Sequence, residues 1–170
     1  MLENYYDLAK ADAFDRLFGR LAIGRNPTPL RNRFLVMKWD FSKVSAHGTA
    51  EEIKQALHDY LNERIAIFVD TYHQLLTSPI RHYPDNALVS FESVVAAVQR
   101  TPYRLYLLID EYDNFANEVM MSNHPAGHDR YEALVTGEGL LKTVFKNVKG
   151  ATDEGLGRVF EQVQPEVISH

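Results

Sequence analysis

The hydrophobic pattern of the chain is dominated by two short apolar runs. The first, Arg33–Ser42, reads RFLVMKWDFS and follows a turn-rich segment, and the second, Arg104–Asp110, reads RLYLLID. Their length favours strands over helices, and apolar side chains occupy both sets of alternate positions. Such runs are typical of strands that are buried on both faces of a parallel sheet. We predict a further strand at Arg158–Val163.

Apolar residues that recur every three or four positions predict helices between these strands. Leu2–Phe18 is predicted to form one helix. A long helix is predicted to begin at Thr49, because Thr49 and Glu52 match a capping box. On this helix His58 is expected to lie on the solvated side, and Ser90 is expected to cap a shorter helix that follows. The remaining predicted helices are Asn114–Met121, Asp129–Val135 and Leu140–Gly150.

Strands that alternate with helices predict an α/β domain with a mostly parallel sheet and helices on its faces. We assign residues 1–170 to a single domain, since apolar residues make up 45% and charged residues 24% of the chain, as in ordinary globular proteins. The net charge of −5 gives no basic surface for nucleic acid, and the absence of cysteine excludes disulfides and thiolate metal sites.

The beginning of the chain, MLENYYDLAKADAFDRLF, is acidic and rich in tyrosine. A signal peptide would instead begin with basic residues and continue with an apolar stretch. No apolar run reaches the ~20 residues that cross a bilayer. These features predict an intracellular, cytoplasmic protein.

The candidate chemistry lies where the second apolar run ends, in the segment LLIDEYD. Asp110 and Glu111 follow the buried strand directly, and ligands of open α/β sheets bind at the carboxyl ends of the strands. A carboxylate at this position can hold Mg²⁺, and a neighbouring glutamate can orient and deprotonate a water for nucleotide hydrolysis. Asp113 can add a third carboxylate. Asp40, at the end of the first strand, can either touch the metal and its water or cap the following turn.

Several long segments resemble the bacterial AAA-ATPase-like family, whose members often carry a PD-(D/E)XK nuclease-like domain as well. The resemblance rests on MLENYYDLAKADAFDRLF, LAIGRNPTPLRNRFLVMKWDFS, SFESVV, LYLLIDEYDNFANEVM and GEGLLKTVFKNVKGATDEGLGRVF. It implies a three-layer P-loop NTPase fold in which Asp110 and Glu111 occupy the Walker B positions. It also implies Mg²⁺, held by Asp110, and ATP as the cofactors, with Asp113 and Asp40 as further cofactor-binding candidates.

Two features depart from the family pattern. No G-x-x-x-x-G-K-[ST] motif occurs in the chain, and the nearest match, Gly19–Asn26, lacks both the lysine and the hydroxyl. The last strand continues as Glu161–Glu166 in place of the family's Thr-Gly-containing segment. We therefore expect a domain truncated at its N-terminus that does not hydrolyse ATP alone.

In related P-loop sheets the strand that leads into Walker A lies between the Walker B strand and the last strand predicted here. Its absence predicts an open slot with unpaired backbone groups. The chain could answer this by closing the slot, by accepting a strand from a partner, or by pairing with a second copy, and we expect a homodimer. Three functions stay open: an inactive ATPase-like domain, a residual nucleotide- or Mg²⁺-binding module, and a partner-binding domain.

Overall fold

The computed structural model describes residues 1–121, 146 and 156–161. Its three strands form one parallel sheet in the order β1-β2-β3. The register of β1 against β2 places Phe34 opposite Arg104 and Asp40 opposite Asp110, so these two strands end together. The strands are β1 (Phe34–Asp40), β2 (Arg104–Asp110) and β3 (Leu156–Glu161).

Helices connect and cover these strands, which confirms an α/β fold. Within the described ranges, no helix combines the length and the apolar character needed to cross a bilayer. The helices predicted at Asp129–Val135 and Leu140–Gly150 lie outside the described residues. The helices are α1 (Leu2–Tyr6), a 3₁₀ helix (Leu8–Ala13), α2 (Phe14–Phe18), α3 (Ala22–Arg25), a 3₁₀ helix (Phe41–Lys43), α4 (Ala50–Tyr72), α5 (Ala87–Gln99) and α6 (Tyr112–Met121).

Alternate side chains of β1 and β2 enter two separate apolar clusters, as the two-residue period of a strand requires. The larger cluster holds Leu35, Met37 and Trp39 of β1 against buried side chains of α4, α5 and α6. The smaller cluster holds Phe34 and Val36 with Tyr106 and Leu108, and Tyr6 of α1 packs on it. The apolar character of both sets of positions, visible in the sequence, therefore reflects burial on both faces.

The N-terminal segment is interrupted at Asp7, so the prediction of one helix over Leu2–Phe18 is wrong. Asp7 is extended, with φ −69° and ψ 121°, and forms a parallel bridge with Phe34 at the edge of β1. Its Oδ1 accepts a hydrogen bond from the N–H of Ala9 at 2.7 Å, which caps the following 3₁₀ helix. The helical spacing of apolar residues persists across this break, because Tyr5 before it and Phe14 and Phe18 after it are buried in one cluster.

The outer edge of β1 is closed by tyrosine hydroxyls from α4. The hydroxyl of Tyr72 accepts from the N–H of Val36 at 2.9 Å and donates to Oδ1 of Asp7 at 2.7 Å. Four residues along β1, the hydroxyl of Tyr60 accepts from the N–H of Asp40 at 2.7 Å. These bonds satisfy backbone donors that an edge strand would otherwise present to another chain.

The beginnings of α4 and α5 show which capping signals were correct. The capping box of α4 is confirmed, since the N–H of Glu52 donates to Thr49 Oγ1 at 3.3 Å and the N–H of Thr49 donates to Glu52 Oε2 at 2.6 Å. Helix α5 begins earlier than predicted, with Asn86 as its cap. Ser90 is fully buried inside the helix, where its Oγ accepts from the N–H of Tyr83.

His58 is buried, so its predicted position on the solvated side of α4 is wrong. Only 4% of the residue is exposed, and its Nδ1 accepts from the N–H of Ala87, the first residue of α5, at 3.1 Å. The segment before α5 folds over this side of α4, where Asn62 Nδ2 donates to the carbonyl oxygens of Tyr83 and Pro84. Burial, with a contribution from Lys54, lowers the pKa of His58 below its usual 6.5.

The slot that was expected beside the Walker B candidate strand is closed. β2 pairs directly with β3, from Leu105 opposite Leu156 to Ile109 opposite Glu161, with one irregularity between Leu105 and Tyr106. This corrects the expectation of unpaired backbone groups between these strands and corresponds to the closing alternative. The homodimer stays a prediction, but the open slot no longer supplies a reason for it.

Asp7 provides a test of the edge closure. Replacing Asp7 with Ala leaves the Tyr72 hydroxyl and the Ala9 N–H without their acceptor, so we expect the free energy of unfolding to fall by about 2 kcal/mol. Asp7→Asn keeps an acceptor oxygen and should be as stable as the parent, or more stable, at neutral pH. Burial raises the pKa of Asp7 above its usual 3.8 in the folded protein. The stability of the folded state therefore falls as pH rises from 3.8 through this raised pKa, because the buried carboxyl loses its proton.

Urea unfolding of the parent and both variants, at pH 7 and at a pH near 4, measures these differences. The advantage of Asp7→Asn over the parent should shrink on acidification, since the parent carboxyl then takes up its proton. If Asp7→Asn were as unstable as Asp7→Ala, the result would show that the fold requires the negative charge of Asp7.

His58 predicts an acid response of stability with the opposite sign. A lowered pKa in the folded state means that the contribution of His58 is complete above pH 6.5 and is lost as pH falls through the lowered pKa. Protonation also removes the acceptor of the Ala87 N–H. Thermal melts at pH 7.5 and 5.0 should show a smaller acid-induced loss for His58→Gln than for the parent. The exposed His82 supplies the control, and His82→Gln should respond to acid as the parent does.

Candidate functional site

The smaller face of the sheet changes from apolar to charged at the carboxyl ends of β1 and β2. Phe34 and Val36 belong to its apolar cluster, and the two-residue period then places Lys38 and Asp40 on the same face. Asp110 ends β2 opposite Asp40. Three charged side chains thus lie together at the strand ends, the edge at which α/β sheets bind ligands.

A pocket of about 230 Å³ opens at this edge. Its floor is the end of β2, and the first residues of the chain form the opposite wall. The described residues that line it are Met1, Leu2, Glu3, Lys38, Leu108, Ile109 and Asp110. We call it the acidic pocket after two of its lining side chains, the carboxylates of Glu3 and Asp110. Lys38 and the N-terminal residue Met1 belong to the same lining.

Lys38 and Asp110 form a direct ion pair. Nζ of Lys38 lies 3.0 Å from Oδ2 of Asp110, and 38% of the lysine side chain and 27% of the aspartate side chain are exposed. The hydrogen bond that Lys38 donates to Asp110 raises the pKa of Lys38, and the charges of Asp110, Asp40 and Glu3 contribute to the same shift. The ammonium is therefore fully charged at neutral pH and counterbalances the carboxylates.

The side chain of Asp40 contacts the turn that follows β1, but it accepts no capping hydrogen bond from a backbone N–H of that turn, so the predicted capping role is not observed. Its Oδ1 accepts from the hydroxyl of Ser42 at 2.7 Å, and its Oδ2 lies 3.8 Å from Nζ of Lys43. The same residue stands opposite Asp110 in the sheet. These contacts with Ser42 and Lys43 leave Asp40 beside Asp110 at the strand ends.

Glu111 has an unusual backbone conformation. Its φ is 58°, in the left-handed region that disfavours residues with a Cβ. Its carbonyl oxygen accepts from the N–H of Phe115, so this residue turns the chain from β2 directly into α6. Residues held in sparsely populated conformations often belong to functional sites. The backbone strain thus falls on the residue that was predicted to activate water.

Asp113 lies in the first turn of α6 and does not join the described lining of the pocket. Its Oδ1 is shielded from solvent and has no hydrogen-bond partner among the described residues. The sequence predicted Asp113 beside Asp110 at the mouth of the site. The two carboxylates share the strand-to-helix turn, but the pocket includes only Asp110.

Gly19 and Gly24 have structural reasons that are unrelated to phosphate. A Cβ on Gly24 would lie 1.8 Å from the carbonyl oxygen of Phe18, and a Cβ on Gly19 would lie 2.5 Å from that of Asp15. Close backbone contacts therefore require both glycines. The segment follows α2 and contains α3, not the strand–loop–helix arrangement of a phosphate-binding loop.

The donor chemistry of the pocket fits Mg²⁺ in one particular way. No group of three or more metal-ligating side chains occurs among the described residues, so this part of the chain provides no all-protein cage. Mg²⁺ often binds through one or two carboxylates together with substrate phosphates and water. Asp110 alone suffices for that kind of site.

Sequence reasoning missed Lys38 and Glu3 as members of the site. Lys38 carried a signal, because a lysine inside an apolar strand lies on the same face as Asp40 two positions later. Glu3 carried no such signal, since only the packing of α1 on the sheet brings it to the pocket.

The strain at Glu111 predicts an unusual response to glycine. Glu111→Gly should be more stable than Glu111→Ala by about 0.5–1 kcal/mol, because glycine adopts positive φ without steric cost. At the exposed helical position Asn114 the order should reverse, with Asn114→Gly less stable than Asn114→Ala by about 1 kcal/mol. Urea unfolding of the four variants measures both differences. The same order at both positions would contradict the strain.

Comparison with known proteins supplies the family. A family model described as AAA-ATPase_like, Predicted AAA-ATPase, matches residues 1–162. No curated protein and no solved structure matches the chain. The match covers all three strands, the acidic pocket and the turn at Glu111. The chain therefore belongs to the AAA-ATPase-like family of predicted AAA-ATPases.

Proposed function

We propose that the acidic pocket and the adjacent turn at Glu111 are the metal-holding and water-activating half of an ATPase site, on a three-layer P-loop-type core. Glu111 follows Asp110 directly but is not among the described residues that line the pocket. The observation that carries this proposal is the position of Asp110, at the carboxyl end of β2 and inside a pocket closed by the first turn of α1. Membership of a family of predicted ATPases supports the same reaction class. Asp110 and Glu111 are then the Walker B pair.

Each residue has a role that follows from its place. Asp110 lines the pocket and would hold the cation. Glu111, on the strained turn that follows, orients the attacking water and accepts its proton. Asp40 lies opposite Asp110 and is placed to hold a water of the metal, and Asp113 is a further candidate at the turn. Bound Mg²⁺ would supply charge stabilisation for the transferred phosphoryl group.

The residues of this chain supply only part of such a site. A phosphate-binding loop uses a row of backbone N–H groups, a lysine and a hydroxyl, and no G-x-x-x-x-G-K-[ST] motif occurs in the 170 residues. The match at Gly19–Asn26 is explained by close backbone contacts. We therefore propose that these residues do not hydrolyse ATP alone and that turnover needs a phosphate-binding loop from outside them.

A residual Mg²⁺-binding module is the second candidate. The acidic lining of the pocket favours it, since Glu3 and Asp110 face the same space and Asp40 lies close to Lys38. For either candidate we also propose a cytoplasmic location, because the cytoplasm would supply ATP and Mg²⁺.

Titration calorimetry with Mg-ATP separates these two candidates. For the parent chain we expect no binding tighter than about 1 mM, because a single carboxylate without a phosphate cradle provides little affinity. Asp110→Ala should behave identically, and Asp12→Asn serves as a control for the loss of an exposed carboxylate.

Tighter binding that disappears in Asp110→Ala but persists in Asp12→Asn would overturn the inactive state and favour the residual module. Co-purification of the chain with a polypeptide that carries a Walker A loop, followed by ATP turnover that requires Asp110 and Glu111, would support the shared site.

A further inference from the structure

We propose that Lys38 is the resting occupant of the cation position at Oδ2 of Asp110, so that a divalent cation reaches this oxygen only by displacing the lysine ammonium. The inference rests on the proposed metal-holding role of Asp110. It adds a specific residue that controls access to the metal position.

The first support is the position of Lys38 within β1. Between the two ends of β1, every residue except Lys38 is apolar. In the register of β1 against β2, Lys38 lies opposite Leu108. A lysine at such a position loses hydration and side-chain freedom, and both losses oppose folding. Its ion pair with Asp110 offsets them.

The second support is the distance between the paired atoms. Nζ of Lys38 lies 3.0 Å from Asp110 Oδ2. Mg²⁺ binds carboxylate oxygens at about 2.0–2.1 Å and keeps several waters around it. An ammonium in direct contact with the oxygen therefore occupies the volume that the metal and its water shell need. The two cations are alternatives at this oxygen.

The third support is the balance of charge around the pocket. Lys38 interacts with Asp110, Asp40 and Glu3, which come from three separate elements. Asp40 also pairs with Lys43, so Lys38 chiefly compensates Asp110 and Glu3, and a divalent cation can replace it without leaving these two carboxylates uncompensated. The displaced side chain is more than one third exposed, so its ammonium can move toward solvent or toward a bound phosphate.

Lys43 offers a matched control for the loss of a positive charge. It also pairs with a carboxylate near the strand ends, Asp40, but at 3.8 Å, and 59% of its side chain is exposed. It does not contact Asp110 in any described ion pair. A general electrostatic effect would appear in both lysine variants, whereas occupancy of the Asp110 position concerns Lys38 alone.

The test is a titration of the isotope-labelled protein with Mn²⁺, followed by the paramagnetic broadening of the backbone amide signals of Ile109 and Asp110. This readout detects millimolar affinities and needs neither nucleotide nor turnover. Lys38→Met should bind Mn²⁺ roughly threefold more tightly than the parent, or better, because a competing ion pair is gone. Lys38→Gln should show the same gain, which guards against a folding defect in either variant, and thermal melts check both.

The controls give the other expected results. Lys43→Met should stay close to the parent, and Lys38→Arg, which keeps a cation against Asp110, should bind Mn²⁺ no more tightly than the parent. Asp110→Asn should abolish the local broadening in the parent and in Lys38→Met.

Three results would overturn the proposal, and they can be told apart. Broadening that persists in Asp110→Asn would show that Asp110 does not hold the metal, which would overturn the proposed function as well. Broadening that depends on Asp110 but does not increase in Lys38→Met, or increases equally in Lys43→Met, would overturn only the role of Lys38. Absence of broadening in all proteins would show that Lys38 is not what keeps the cation away.

Discussion

The hydrogen bonds at the outer edge of β1 join three elements of the described structure. The hydroxyl of Tyr72 joins the backbone of Val36 to the carboxylate of Asp7, so α4, β1 and the N-terminal segment meet at one oxygen atom. Burial and the charge of Asp7 raise the pKa of Tyr72 well above its usual 10.0, so the hydroxyl keeps the proton that it donates. A second bond, from Asp40 to Tyr60, extends the closure to the end of the strand.

This edge also determines where the candidate site forms. Asp7 bridges to Phe34, and Tyr6 then packs over Phe34 and Tyr106 on the smaller face of the sheet. That packing brings the first residues of α1 above the ends of β1 and β2, where they form the wall of the acidic pocket. The site therefore depends on a contact that lies at the opposite end of β1 from Asp110.

Within the pocket, the balance of charge decides what can bind. A carboxylate at the tip of a buried strand is suited to Mg²⁺, but here its oxygen already contacts the ammonium of Lys38. The backbone of Glu111 is strained at the adjacent position, which aims the following residues into α6. The ion pair and the strained turn therefore lie side by side at the carboxyl end of β2.

Local signals in the sequence determined a large part of this structure. The bounds of β2, the capping box at Thr49 and the burial of both faces of β1 follow from short-range patterns that the tertiary structure does not override. The placement of Asp110 and Glu111 at a strand end also follows, because a strand that runs into adjacent carboxylates carries them to the edge of the sheet. The family resemblance rests on the same segments.

Only the tertiary structure decided the features that depend on contacts distant in sequence. The break at Asp7 exists because its carboxylate meets Tyr72, 65 residues away. The burial of His58 follows from the segment before α5, which folds over α4 and leaves the Ala87 N–H to the imidazole. The pairing of Lys38 with Asp110 requires the register of β1 against β2. Periodicity describes one element at a time, whereas each of these features joins two or three.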